Sequence, residues 1–212
     1  MTELWSERAE AYRNAVEQRE GEDLDLIVAW TAGARTALDV ATGGGHVARR
    51  LREAGLQVVT VDPAPGMHPD VLARAEDLPF AEASFDVVVT RIAPHHFEDV
   101  RAAVDEMARV ARDLVVVEDT LWASDAVEEA ERLRDPTHVR SLTEAEWREL
   151  LEAAGLEVEE VHVVEKRHHL ATWLARTDTP DEDAARVREL LADHIEGDEY
   201  VDRKILLRAR KA

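Results

Sequence analysis

Apolar residues along the chain alternate between a helical and a strand-like period, and the changes of period mark out successive elements. From Trp5 to Arg19 apolar residues are scattered among charged ones and predict an amphipathic helix, with a second helix around Leu24 to Trp30. Thr36-Ala37-Leu38-Asp39-Val40 reads as a short strand that runs into Gly43, Gly44 and Gly45. A helix from about His46 to Ala54 follows, with Gly55 as its C-terminal cap. Leu56 to Asp62 is rich in β-branched residues and predicts a second strand, while Pro63, Pro65 and Pro69 keep a long helix from starting behind it. Phe85 to Thr90 and Leu114 to Val117 are nearly continuous apolar runs, as expected of strands covered on both faces. Between them, Val100 to Val110 has helical spacing. Thr143-Glu144-Ala145-Glu146 is a capping box for a helix through Trp147, Leu150 and Leu151 that Gly155 ends. Leu156 to Val164 then alternates as a strand, a charged helix is expected near Asp183 to His194, and Lys204 to Leu207 is the last strand. Strands and helices in this order predict one doubly wound α/β domain with a mostly parallel sheet, spanning all 212 residues.

Composition narrows the chemistry. There is no cysteine, which removes disulfides, thiolate nucleophiles and cysteine-based metal sites. A formal charge of −20 argues against a nucleic-acid partner, because phosphate binding depends on Lys and Arg. Lysine occurs only at Lys166, Lys204 and Lys211. No apolar run reaches the roughly 18 residues of a membrane span, and the first residues lack a basic segment followed by an apolar core. The expectation is a cytoplasmic protein with no membrane partner.

The glycine turn is the main chemical signal. Glycines between a strand and a helix let backbone approach a ligand, and the free N–H groups of the helix start favour a polar or anionic group. Asp62 follows Gly43 by 19 residues, at the end of the next strand, where a carboxylate can accept both hydroxyls of a ribose. Gly43-x-Gly45-x-x-Ala48 also satisfies a dinucleotide pattern, so the spacing fits NAD as well as S-adenosylmethionine. Asp39 discriminates: a carboxylate there would repel pyrophosphate but attract the ammonium and sulfonium of the methyl donor.

Several stretches, in order, resemble the class I S-adenosylmethionine-dependent methyltransferases, close to the ubiquinone/menaquinone-biosynthesis type and its uncharacterised small-molecule relatives. They are Leu38 to Ala48, Ala75-Glu76-Asp77-Leu78-Pro79-Phe80, Ser84 to Val88, Arg91-Ile92-Ala93-Pro94-His95-His96-Phe97, Glu106 to Val110, and Leu133 to Arg140. The resemblance implies a Rossmann-like sheet of seven strands with the last antiparallel, and S-adenosylmethionine as cofactor, released as S-adenosylhomocysteine. It implies that Asp39, Ala41, Thr42, Gly43, Gly44 and Gly45 surround the methionine part, that Asp62 with Pro63 takes the ribose, and that Ala75 and Glu76 border adenine. Thr90 and Arg91 would flank the methionine moiety and the reaction centre. Residues 1–33 would form N-terminal helices and a lid, and 122–142 a cover insertion. The chain departs from the family at Ala41, where glycine is usual, at Arg74, where aspartate is usual, and in lacking a Pro-Gly-Gly loop before the fifth strand. It is also short between Asp62 and Leu78.

Methyl transfer from a sulfonium uses an activated donor, so the protein mainly aligns the acceptor. His95 and His96 follow the fourth strand where ligand crevices open, and either could deprotonate or orient an acceptor hydroxyl or amine. Adjacent histidines without carboxylates at ligand spacing do not suggest a metal, and His168-His169 reads as a solvated pair. Tyr12, Arg134, Asp135, His138 and Arg140 are the candidates for covering a small-molecule acceptor. A homodimer stays open as an assembly. The alternatives are a trimmed, non-catalytic methyltransferase-like binding domain and an NAD-dependent oxidoreductase.

Overall fold

The structure is a computed structural model and describes residues 2–15 and 18–211. Eight strands form one sheet: β1 Thr36–Val40, β2 Gln57–Asp62, β3 Val71–Leu72, β4 Phe85–Arg91, β5 Ala111–Thr120, β6 Leu156–His169, β7 Ile195–Glu196 and β8 Glu199–Lys211. Their order is β3-β2-β1-β4-β5-β8-β6, with β7 paired to β8. β1, β2, β3, β4 and β5 are parallel, and β8 is antiparallel to both its neighbours. This is the expected Rossmann-like sheet with its last strand reversed; the two-residue β7 is the addition. The order reverses between β1 and β4, so their carboxyl ends flank a crevice, the usual ligand position in open α/β sheets.

Among the described residues the α-helices are α1 Thr2–Asn14, α2 Glu22–Trp30, α3 His46–Glu53, α4 Val100–Val110, α5 Asp125–Arg134, α6 Glu144–Ala153, α7 Leu170–Ala175 and α8 Asp181–Leu190. The continuous apolar run of β4 is explained by its two faces: Val88 packs into one core with α4 and α6, and Val87 and Val89 into another with α2 and α3. β5 divides in the same way, Val115 and Val117 to one side and Leu114 and Val116 to the other. A third cluster joins α5, α7 and α8 through Val127, Trp173, Leu174, Val187 and Tyr200.

Several boundaries differ from the periodicity. α1 ends at Asn14 rather than Arg19, and residues 16–17 of the expected helix lie outside the described residues. α5, a charged stretch capped by Ser124 whose hydroxyl accepts from the Val127 N–H, and α7, six uncharged residues, carry no clear periodic signal. β5 extends past Val117 through Glu118, Asp119 and Thr120, all buried. Acidic residues read as the end of a strand unless their partners are known, and here Arg91, His95 and Lys204 supply them. After Asp62 the chain makes a 3-10 turn at Pro65–Met67 and only the two residues of β3, in keeping with the shortness of the sequence between Asp62 and Leu78. α4 passes straight into β5 at Ala111 without a glycine loop.

Candidate cofactor and acceptor site

One cavity runs along the carboxyl ends of β1, β2, β4 and β5, and it is best followed from the glycine turn. Ala41 has φ +56° and Gly43 φ +50°, both in the left-handed region, so the chain reverses tightly after β1. Asp39 is 2% exposed; its Oδ2 accepts from the Thr42 hydroxyl at 2.6 Å and the Ala48 N–H at 3.1 Å, tying the turn to α3. Asp62 ties the same turn to β2, Oδ2 accepting from the Gly43 N–H at 3.0 Å and Oδ1 from the Ala64 N–H at 2.9 Å. Burial raises both carboxyls, Asp39 to about 6. Neither has an ion-pair partner among the described residues, yet both line the cavity. Two buried carboxylates with no cation of their own fit a cationic, hydroxyl-bearing ligand. Gly44 is needed for another reason: a Cβ there would lie 2.7 Å from the Tyr12 carbonyl oxygen and 2.8 Å from His46 Nε2. The end of α1 thus sits directly on the turn. Gly45 makes the turn that opens α3 and does not line the cavity.

The cavity continues between Pro63, Met67, Arg74, Ala75 and Glu76, so the segment expected to border adenine forms part of its wall. Arg74, where the family resemblance expects aspartate, is held by Glu76 at 3.1 Å and Glu98 at 3.2 Å. Its charge is matched by the protein.

Beyond the turn, Arg91 lies in the wall with its Nη2 2.5 Å from Asp23 and its Nε 2.8 Å from Glu118; Lys166 Nζ is 2.5 Å from the other Asp23 oxygen. Burial pushes Glu118 up to about 7, while the Arg91 and Lys166 cations hold Asp23 well below the usual carboxylate range. Thr90 does not reach the cavity: it is 1% exposed and its hydroxyl is enclosed without a partner, which corrects the expectation that it flanks the ligand.

At the far end are His95 and His96, with ring centroids 4.1 Å apart. His95 Nδ1 is 2.5 Å from Asp119 Oδ1, and His96 Nδ1 is 3.1 Å from both the carbonyl and the hydroxyl oxygen of Thr137. Trp5, Tyr12, Arg134, Asp135 and Trp173 line this end, together with Thr120, Glu131, His168, Asp202 and Lys204. Arg134 pairs with Glu131 at 2.9 Å and lies 4.0 Å over the Trp173 ring. Arg8 of α1 reaches Asp135 at 3.2 Å and the Thr177 carbonyl at 2.6 Å, joining the N-terminal helix to the segment after α5.

Two acceptor candidates are placed elsewhere. His138 is buried behind the wall against Glu128 at 3.2 Å, and Arg140 is exposed and paired with Glu146. His168 is also corrected: only His169 is solvated, whereas His168 lines the cavity 3.4 Å from Asp202. Asp23, Glu118, Asp119, Lys166, Asp202 and Lys204 were missed. The signal that could have found the lysines is their rarity, since two of the three in the chain line this cavity. Among the described residues no group of three or more His, Asp or Glu is placed to hold a metal ion, and no helix is long and apolar enough to cross a membrane.

Comparison with known proteins decides between the readings of the turn. A family model described as a methyltransferase domain matches residues 38–117. The uncharacterised methyltransferase YcgJ of Bacillus subtilis (strain 168) is 32% identical over 202 residues, covering 83% of this chain and 79% of that protein. The chain belongs to the class I S-adenosylmethionine-dependent methyltransferases. The crystal structure of Bacillus subtilis YcgJ superposes on this methyltransferase with a TM-score of 0.80 at 26% identity, covering 89% of this chain and 97% of that one. Magnesium protoporphyrin IX methyltransferase from Synechocystis PCC 6803, solved with S-adenosylhomocysteine bound, shares the fold at a TM-score of 0.59 and 14% identity, over 89% of this chain and 82% of that one. As a member of that family the protein uses S-adenosylmethionine as its cofactor, and the oxidoreductase reading falls.

Proposed function

We propose that the protein transfers the methyl group of S-adenosylmethionine to a small-molecule acceptor. The observation that carries the reading is the continuity of one cavity from the carboxylates Asp39 and Asp62, which have no ion-pair partner among the described residues, to the histidines His95 and His96. Bound there, the cofactor supplies an electrophilic methyl on a sulfonium. Asp39, beside Ala41, Thr42, Gly43 and Gly44, attracts the cationic methionine part; Asp62 accepts the ribose hydroxyls with the lone pairs its backbone contacts leave; Pro63, Ala75 and Glu76 face adenine. Arg91 is held rigid by Asp23 and Glu118 and shapes the wall between the two ends. His95 and His96 orient the acceptor, with Tyr12, Arg134 and Asp135 around it. α1 is a lid and the segment around α5 a cover; Arg8 and Asp135 join them and keep water from the transfer.

The test is isothermal titration with S-adenosylmethionine. The unmodified protein binds, and Asp62→Ala weakens binding at least about 100-fold, as expected for two hydrogen bonds to a charged acceptor. Absence of binding by the unmodified protein rejects the assignment of this cavity.

A further inference from the structure

His95 and Asp119 come from the ends of adjacent parallel strands. His95 follows β4 in the 3-10 turn Pro94–His96, and Asp119 is the penultimate residue of β5. Asp119 is fully buried, and its Oδ1 meets His95 Nδ1 at 2.5 Å while its Oδ2 has no hydrogen-bond partner. A carboxylate on Nδ1 fixes an imidazole with its proton on that nitrogen and its lone pair on Nε2. Because His95 lines the cavity, Nε2 is the nitrogen left for a ligand. His96 is held differently: its Nδ1 meets the neutral carbonyl and hydroxyl of Thr137, so no carboxylate is bonded to it to balance a gained proton.

The wall beyond His95 is charged. Lys204 Nζ donates to Asp202 at 2.6 Å and Thr120 at 2.7 Å, His168 lies 3.4 Å from Asp202, and Arg134 is paired with Glu131. An apolar tail laid on these groups would take them out of water and return no hydrogen bonds. A compact polar acceptor exchanges hydrogen bonds with them instead.

Resting on the methyltransferase reading, we propose that His95 is the general base and Asp119 its positioning residue, and that the acceptor is a compact polar molecule whose nucleophile is a hydroxyl or an amine. The acceptor O–H or N–H bond breaks and its proton passes to His95 Nε2. The acceptor lone pair forms the new bond to the methyl carbon, and the sulfur keeps the electron pair of the bond it loses. The positive charge that leaves sulfur ends on the imidazole beside Asp119 and departs as a proton once the cavity opens. Asp119 touches neither acceptor nor cofactor.

His138, Lys204, Glu131 and Arg134 face His95, and Lys204, His96 and His138 face Asp119. Burial pushes the His95 imidazole down to about 3 and raises Asp119 to about 7, so the proton His95 takes is held only against an ionised Asp119. A protonated Asp119 would donate to Nδ1 and move the ring proton to Nε2, so the base form is lost as pH falls through about 7.

The experiment combines ¹H–¹⁵N correlation spectra of histidine-labelled protein, with S-adenosylhomocysteine present, and transfer of tritiated methyl to two acceptor panels. At pH 8 His95 carries its proton on Nδ1, and Asp119→Asn moves it to Nε2. A panel of a catechol, a phenol and an aliphatic amine is methylated in preference to a carboxylic acid and a prenylated quinol. His95→Gln and Asp119→Asn lower kcat by about 100-fold or more with KM for S-adenosylmethionine unchanged. An Nε2–H tautomer in the unmodified protein, or an Asp119→Asn enzyme within about threefold of normal kcat, overturns the dyad. Turnover of only the carboxylic acid or the prenylated quinol overturns the acceptor class. Loss of S-adenosylmethionine binding by the unmodified protein would instead mark failure of the methyltransferase site itself.

Discussion

The two ends of the cavity are charged in opposite ways. At the glycine turn, Asp39 and Asp62 are buried and bonded only to backbone N–H groups and a hydroxyl, so their charge is left for a ligand. At the acceptor end nearly every charge is met by another from the protein: Arg8 with Asp135, Arg134 with Glu131, Lys204 with Asp202. The first end is organised by backbone; the second ties α1 to the segment after α5 through its own ion pairs.

The largest effect expected from this contrast is at the pair that joins α1 to the segment after α5. Arg8 and Asp135 have side chains 7% and 2% exposed, and Arg8 also donates to the Thr177 carbonyl. Arg8→Met leaves Asp135 buried with only Thr137 donating to it, and such an uncompensated charge costs about 3–5 kcal/mol. The two remaining hydrogen bonds put the expectation near the lower figure, a fall in Tm of roughly 6–12 °C. Denaturant titration checks it, and a loss under about 1 kcal/mol would show that the acceptor end does not depend on its internal pairing.

The same contrast explains what could be read from the chain. Asp39, the glycines and Asp62 lie within one strand–turn–helix–strand unit, so spacing alone placed them together. The strand reversal followed from the family resemblance, and the sheet confirmed it. The acceptor end was harder because its pairs are remote in sequence: Arg8 with Asp135, Thr120 with Lys204, Asp23 with Lys166. Periodicity treats a carboxylate after an apolar run as the strand's end, which hid Glu118 and Asp119, and it treats His168 in a charged strand as solvated. Only the register of β8 against β5 and β6 brings Lys204, Asp202 and His168 to the cavity.

A smaller effect, of opposite sign, is expected at the glycine turn. Asp39 in the folded protein is raised to about 6 from 3.8, so the folded state holds the proton more tightly than the unfolded chain. Stability is then highest below pH 4 as far as this group is concerned, and falls by at most about 3 kcal/mol as pH rises to about 6. Asp39→Asn keeps an oxygen for the Thr42 and Ala48 donors but removes the ionisation. The variant should be about 1–3 kcal/mol more stable than the unmodified protein at pH 8 and little different at pH 4. It should also bind S-adenosylmethionine at least about tenfold more weakly. Equal stability at both pH values would mean that the carboxylate is not held at a cost to the apo protein.

The smallest effect concerns the backbone under that carboxylate. Ala41 occupies the left-handed region at φ +56°, where the related family usually has glycine and where an L-residue costs about 1–2 kcal/mol more than glycine. Ala41→Gly relieves that cost, while the extra freedom of glycine in the unfolded chain takes back about 0.4–1 kcal/mol. Its methyl group is only partly buried against the neighbouring core, so little packing is lost. The balance is a gain of about 0.5–1 kcal/mol, readable as a higher denaturant midpoint with an unchanged slope. Because strain at a ligand turn persists only when the surroundings enforce it, the gain should be largest in the apo protein and shrink when S-adenosylmethionine is bound. A variant destabilised by more than about 0.5 kcal/mol would instead show that the Ala41 methyl holds the turn against the core more strongly than its backbone resists it.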